Sequence, residues 1–77
     1  MELTLYYRTG CHLCDDMRRA LAPLQAAHGF DLREIDIDRD PALAARWNAD
    51  VPVLARGDTV LCRHFLDEDA VLDALNP

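Results

Sequence analysis

The chain has 77 residues, 51% of them hydrophobic, and carries a formal net charge of −6 in which all eight cations are arginines. That length makes one small domain, and a domain this size buries little more than ~60% of the surface its unfolded chain exposes. The negative charge argues against a broad footprint for nucleic acid or anionic lipid, and no run approaches the ~18 apolar residues of a membrane span.

No internal repeat or linker-like run interrupts residues 1–77, so the chain is read as a single unit. Leu3, Leu5 and Tyr7 alternate with Thr4 and Tyr6 up to the Thr9-Gly10 breaker, which predicts a first strand. From Leu13 the apolar positions Leu13, Met17, Leu21 and Leu24 fall at helical spacing, with Ala20 and Ala27 expected on the same face. This helix should run to His28-Gly29, with a kink or local break at Pro23. His28 sits where a cation complements the helix dipole.

The run "DLREIDIDRD" alternates Ile35 and Ile37 with Glu34, Asp36 and Asp38, predicting a strand with one wet, acidic face suited to a sheet edge. Asp36 to Asp40 lacks the downstream glycine and bidentate glutamate of a calcium loop. Asp40-Pro41 then supplies a cap and a first-turn proline for a short helix bearing Leu43, Ala44 and Trp47. "VPVLARGDTVLCR" reads as two strands joined by a tight turn at Gly57-Asp58, and its Arg56-Gly57-Asp58 tripeptide is only that turn. Asp67 caps a last helix whose stripe is Val71, Leu72 and Leu75. The order β-α-β-α-β-β-α, with a right-handed crossover and a closing hairpin, predicts an α/β fold on a mixed sheet.

The chemistry lies in "RTGCHLC". The N-terminus carries no basic segment followed by an apolar core and a small-residue cleavage site, so a cytoplasmic location is expected. Three cysteines in a reducing compartment make a poor disulfide framework, which favours a catalytic or metal role. Cys11 falls at the strand-to-helix junction, where its sulfur can cap the helix and accept bonds from the amides of Leu13 and Cys14. Those amides and the helix dipole favour thiolate over thiol, so Cys11 is the expected nucleophile. Cys14, one turn on and more enclosed, is the expected resolving thiol. Arg8 and a protonated His12 should favour the thiolate and are also expected to contact the substrate, while Asp15 and Asp16 should oppose the thiolate.

The sequence of strand, C-x-x-C, helix, strand, helix, and then Val51-Pro52 opening a hairpin resembles the thioredoxin fold in its minimal, glutaredoxin-like form. The likeness covers nearly the whole chain and is nearest to small bacterial glutaredoxin-like proteins. It implies a four-stranded mixed sheet and a cis proline at Pro52 packed beside the active-site sulfurs. It also implies that Val51 offers backbone bonds to a bound substrate. Glutaredoxins follow the hairpin's last strand with a Gly-Gly pair and a nearby Asp that hold glutathione. Here Leu61 and Cys62 are expected where those glycines would stand, so glutathione is not the expected reductant, and Arg63 or Asp67 is what remains to engage one of its charged ends.

Other readings compete. Cys62 at the end of a strand is either a packed apolar group or a third thiol near the active end. Cys11, Cys14, Cys62 and His64 together offer a zinc ligand set, although a single residue between Cys62 and His64 is tighter than usual finger spacing. A domain with idle cysteines that binds partners through Trp47, Phe65 and the acidic surface is the third, although a lone Trp on a short helix is more often core. The favoured expectation is a thiol-disulfide oxidoreductase. Its partners would be a protein or small-molecule disulfide and a recycling reductant, it needs no metal or organic cofactor, and it would be monomeric.

Overall fold

A computed structural model describes residues 1–76. Four strands, β1 (Glu2–Tyr7), β2 (Asp31–Asp36), β3 (Val53–Arg56) and β4 (Thr59–Arg63), form one sheet in the order β2-β1-β3-β4. Strand β1 runs parallel to β2 and antiparallel to β3, and β3 and β4 form the hairpin, so the sheet is mixed as expected. Helices α1 (His12–His28), α2 (Pro41–Trp47) and α3 (Glu68–Leu75) complete the α/β fold.

Strand alternation splits the apolar residues between two layers. Leu3 and Leu5 of β1 and Leu54 of β3 face α1 and α3, where they pack with Met17, Leu21, Phe30 and Val71. Val53 faces the other way, onto Ile37 and Trp47, with Tyr6 against them. Trp47 is core, its ring 5.6 Å from that of Tyr6, with the Arg46 guanidinium 4.4 Å from its centroid.

Three local expectations change. Helix α1 is unbroken across Pro23, and its buried residues are Cys14, Met17 and Leu21, whereas Ala20 and Ala27 are exposed. The core axis is set by Cys14, Met17, Leu21 and Leu24, which leaves the two alanines on its flank. Strand β2 stops at Asp36, and Ile37 opens a single 3-10 turn, Ile37–Arg39. The Asp36 carboxylate accepts from the Asp38 backbone N–H at 3.0 Å, a local bond that diverts the chain from the ladder. Third, the exposed acidic face of the edge strand β2 is engaged by α1 and not free. Glu34 pairs with Leu5 in register and meets Arg18 of α1, while Ile35 pairs with Tyr6.

The helix boundaries follow local chemistry. Asp40 and Asp67 cap α2 and α3 through bonds from Ala42 and Ala70 backbone N–H groups, at 2.9 and 3.1 Å. Gly29 ends α1 at φ 71° and donates to the Gln25 carbonyl, a left-handed cap that costs glycine no steric penalty. Leu54 pairs with Cys62 but Ala55 with Val60, so Leu61 is the extra residue of a bulge in β4.

Candidate active site

Because β3 is antiparallel to both neighbours, one end of the sheet collects the C-terminus of β1, the N-terminus of β3 and the C-terminus of β4. That end therefore gathers the Cys11 loop, the Val51-Pro52 approach and the turn from Arg63 to Asp67.

Cys11 is the N-cap of α1, extended at φ −92° and ψ 111°, and its Sγ accepts from the Cys14 backbone N–H at 3.1 Å. The bond comes from Cys14 and not, as also expected, from Leu13. Cys14 is 1% exposed, Cys11 is half-buried, and their α-carbons lie 5.2 Å apart with the sulfurs at disulfide distance. The helix places the inner thiol under the outer one.

The charges around the pair are arranged differently from the expectation. Arg8 does not lie free beside the sulfur. Its guanidinium donates to both Asp38 carboxylate oxygens, at 3.0 and 3.1 Å, and to the Asn48 side-chain oxygen at 2.7 Å. It thus ties the segment before Cys11 to the 3-10 turn and to the end of α2, from which the chain runs to Val51-Pro52. Asp15 is paired with Arg18 and Asp16 with Arg19, so the acids expected to oppose a thiolate are each offset by a cation. His12 is exposed at the first position of α1.

The Val51–Pro52 bond is cis and Pro52 is buried, in accord with the resemblance. The Val51 N–H already donates to the Trp47 carbonyl at 3.2 Å, so of its two backbone groups the carbonyl is the one left to meet a ligand. His64 N–H donates to the Pro52 carbonyl at 2.8 Å, which fastens the turn after β4 to the proline.

Leu61 and Cys62 lie within β4, and the residues that follow the strand are His64 and Phe65. His64 has φ 66°, the left-handed conformation for which glycine is favoured, so the glycine-like backbone is present but carries an imidazole.

Cys62 packs against the Leu54 layer and is half-buried. Among the described residues no three His, Cys, Asp or Glu side chains converge as a metal-binding group, so Cys11, Cys14, Cys62 and His64 are not brought together as a ligand set. Burial pushes the Cys62 thiol up; the Asp67 backbone pulls it down and the Asp67 carboxylate adds to the rise. A raised native value means that the folded state holds this proton more tightly than the unfolded chain. The contribution to stability is present below the ordinary thiol range, about 8.5, and is lost as pH climbs above it through the native value. In the folded protein at pH 8, Cys62 should react with iodoacetamide more slowly than in urea, read by peptide mass; equal rates would contradict the burial.

A mixed four-stranded sheet, a dithiol capping the first long helix and a cis proline at the head of the third strand define a thioredoxin-fold protein of glutaredoxin size. The chain belongs to the glutaredoxin-like domain family (DUF836), whose profile matches residues 2–76. Among solved structures it is similar to protein Ne2328 from Nitrosomonas europaea, with 40% identity, a TM-score of 0.86, and coverage of 97% of this chain and 91% of that one. A structural-genomics protein from X. campestris shares 39% identity at TM-score 0.74, covering 94% and 96% of the two chains. The glutaredoxin-like NrdH-redoxin of Escherichia coli, described as having a thioredoxin-like activity profile, shares 30% identity at TM-score 0.66 over 100% and 97%. No curated protein sequence matches the chain. Among the described residues no helix is long and apolar enough to cross a membrane.

Proposed function

We propose that this protein is a cytoplasmic thiol-disulfide oxidoreductase acting through the Cys11 and Cys14 dithiol. The reading is carried by one observation: the outer sulfur, at a helix N-cap, accepts the Cys14 backbone N–H while the inner sulfur is buried beneath it. An amide donor and the positive end of the helix dipole both favour charge on Cys11, so it attacks first.

The Cys11 thiolate attacks one sulfur of a substrate disulfide. A mixed disulfide forms, and the departing substrate sulfur leaves as thiolate and takes up a proton. Cys14 then loses its proton and attacks the Cys11 sulfur, releasing the second substrate thiol and leaving the Cys11–Cys14 disulfide. Two electrons have passed to the substrate, and an external thiol reductant returns them. The cycle uses no metal and no organic cofactor. In this scheme Pro52 flanks the sulfurs and the Val51 carbonyl accepts a backbone N–H of the substrate. Arg8 acts by holding the two loops together and not as a substrate contact.

Equilibrating the protein across glutathione redox buffers, quenching with an alkylating agent and locating the protected cysteines by peptide mass tests the reading. Cys11 and Cys14 should become protected together, as a two-electron couple with a tenfold change per ~30 mV, while Cys62 stays free. Protection of neither would defeat it. A glutathione adduct on Cys11 would instead assign glutathione as the reductant.

A further inference from the structure

The geometry points to a docking surface for a polypeptide substrate, in which Phe65 is the apolar anchor and the first turn of α3 selects basic residues beside the substrate cysteine. This inference rests on the redox reading above and names its substrate class.

Phe65 is 68% exposed, and Met1 is the other large apolar side chain exposed among the described residues. Met1 belongs to the opposite end of the sheet, where its carbonyl accepts from Asp31 at the start of β2. Phe65 stands at the dithiol end. It is held there, because the left-handed His64 donates to the Pro52 carbonyl and Phe65 N–H donates to the Arg63 carbonyl at 2.7 Å. A ring kept in water on a tethered turn adds little to folding, but it loses little freedom when a partner covers it.

Charge identifies the partner. Asp67, Glu68 and Asp69 follow the anchor within four residues, and no ion pair engages any of the three among the described residues. The nearby cation, Arg63, is exposed on the Trp47 face of the sheet, its guanidinium 5.8 Å from that ring's centroid, and it makes no ion pair with these acids. Asp67 is engaged in capping α3, which leaves Glu68 and Asp69 as the free carboxylates, and an exposed aromatic bordered by them complements a chain that carries an apolar residue and lysine or arginine next to its cysteine. The same border disfavours glutathione, whose net charge is negative.

The test uses the reduced full-length protein and three disulfides in single turnover. These are a peptide dimer with lysines and a leucine flanking its cysteine, the same dimer with glutamates for lysines, and bis(2-hydroxyethyl) disulfide. In each reaction the protein dithiol becomes the Cys11–Cys14 disulfide and the substrate becomes two thiols. The lysine peptide should react about tenfold faster than the glutamate peptide at low ionic strength, and the preference should shrink in ~0.5 M salt. Phe65→Ala should slow the lysine peptide about tenfold and leave the small disulfide unchanged. Glu68→Gln combined with Asp69→Asn should remove most of the charge preference. Equal rates for the two peptides, or a Phe65→Ala effect shared equally by all three disulfides, would overturn the proposal. A wild-type protein unable to reduce even the small disulfide would defeat the redox reading instead. Docking would then be decided by fluorescence anisotropy of a labelled lysine peptide carrying serine for cysteine: binding lost in Phe65→Ala upholds the surface, and no binding to wild type rejects it.

Discussion

Replacing Cys11 by serine is expected to reduce disulfide turnover to the uncatalysed rate, because a serine hydroxyl at an N-cap does not ionise at neutral pH and Cys14, the other thiol of the first turn, is buried. Replacing Cys14 by serine has a different outcome. The first attack still proceeds, but the resolving step has lost its nucleophile, so the mixed disulfide on Cys11 accumulates and appears as an adduct mass that dithiothreitol removes. The two variants separate the roles: full activity in the Cys11 variant, or no adduct in the Cys14 variant, would refute the assignment. Cys14 is buried, so its hydroxyl replacement also costs stability, about 1–3 kcal/mol if the new group finds no partner. Both proteins should therefore be compared at a temperature where each is folded.

The second large effect concerns the support beneath the site. Leu54 is fully buried in β3, paired with Leu5 on one side and Cys62 on the other, and it belongs to the layer that holds Met17 and Leu21 of α1. Leu54→Ala should cost about 3–5 kcal/mol, the transfer term plus a cavity that a central strand is poorly able to close. Each kcal/mol is worth roughly 4–8 °C in a domain this small, so the midpoint should fall by at least about 12 °C. Urea denaturation should show the loss in midpoint with little change in slope. Phe65→Ala is the internal contrast. Its ring is exposed, so its stability should stay within about 0.5 kcal/mol of wild type. A large loss in the Phe65 variant, or a small one in the Leu54 variant, would mean that the assignment of core and surface is wrong.

Local patterns carried most of the fold. The alternation of Leu3, Leu5 and Tyr7, the Asp40-Pro41 and Asp67 caps, and the Gly57-Asp58 turn each produced the expected element, because each depends on groups within a few residues of one another. The misreadings have the same origin. Ile37 keeps the apolar phase of a strand, yet the carboxylate of the preceding Asp36, bonded by the Asp38 N–H, draws the backbone into a turn. Periodicity records where a side chain is buried but not which backbone conformation buries it. Glu34 is the solvent-facing acid its pattern implies, but only the packing of α1 shows that Arg18 reaches it.

Within the site, the sequence alone placed Cys11 at a helix start, buried Cys14 one turn along, and marked Pro52 as the head of a strand, since spacing and capping rules act over single turns. Tertiary structure decided the rest. Arg8 reaches Asp38 and Asn48 across intervals of 30 and 40 residues, which turns an expected thiolate partner into a strap between two loops. The bulge at Leu61 shifts the β4 register by one residue, and the bond from His64 N–H to the Pro52 carbonyl sets the turn after the strand at the dithiol end. These features depend on which strands are neighbours. Strand order is chosen by burial of the whole apolar set, a free energy that no local stretch of sequence contains.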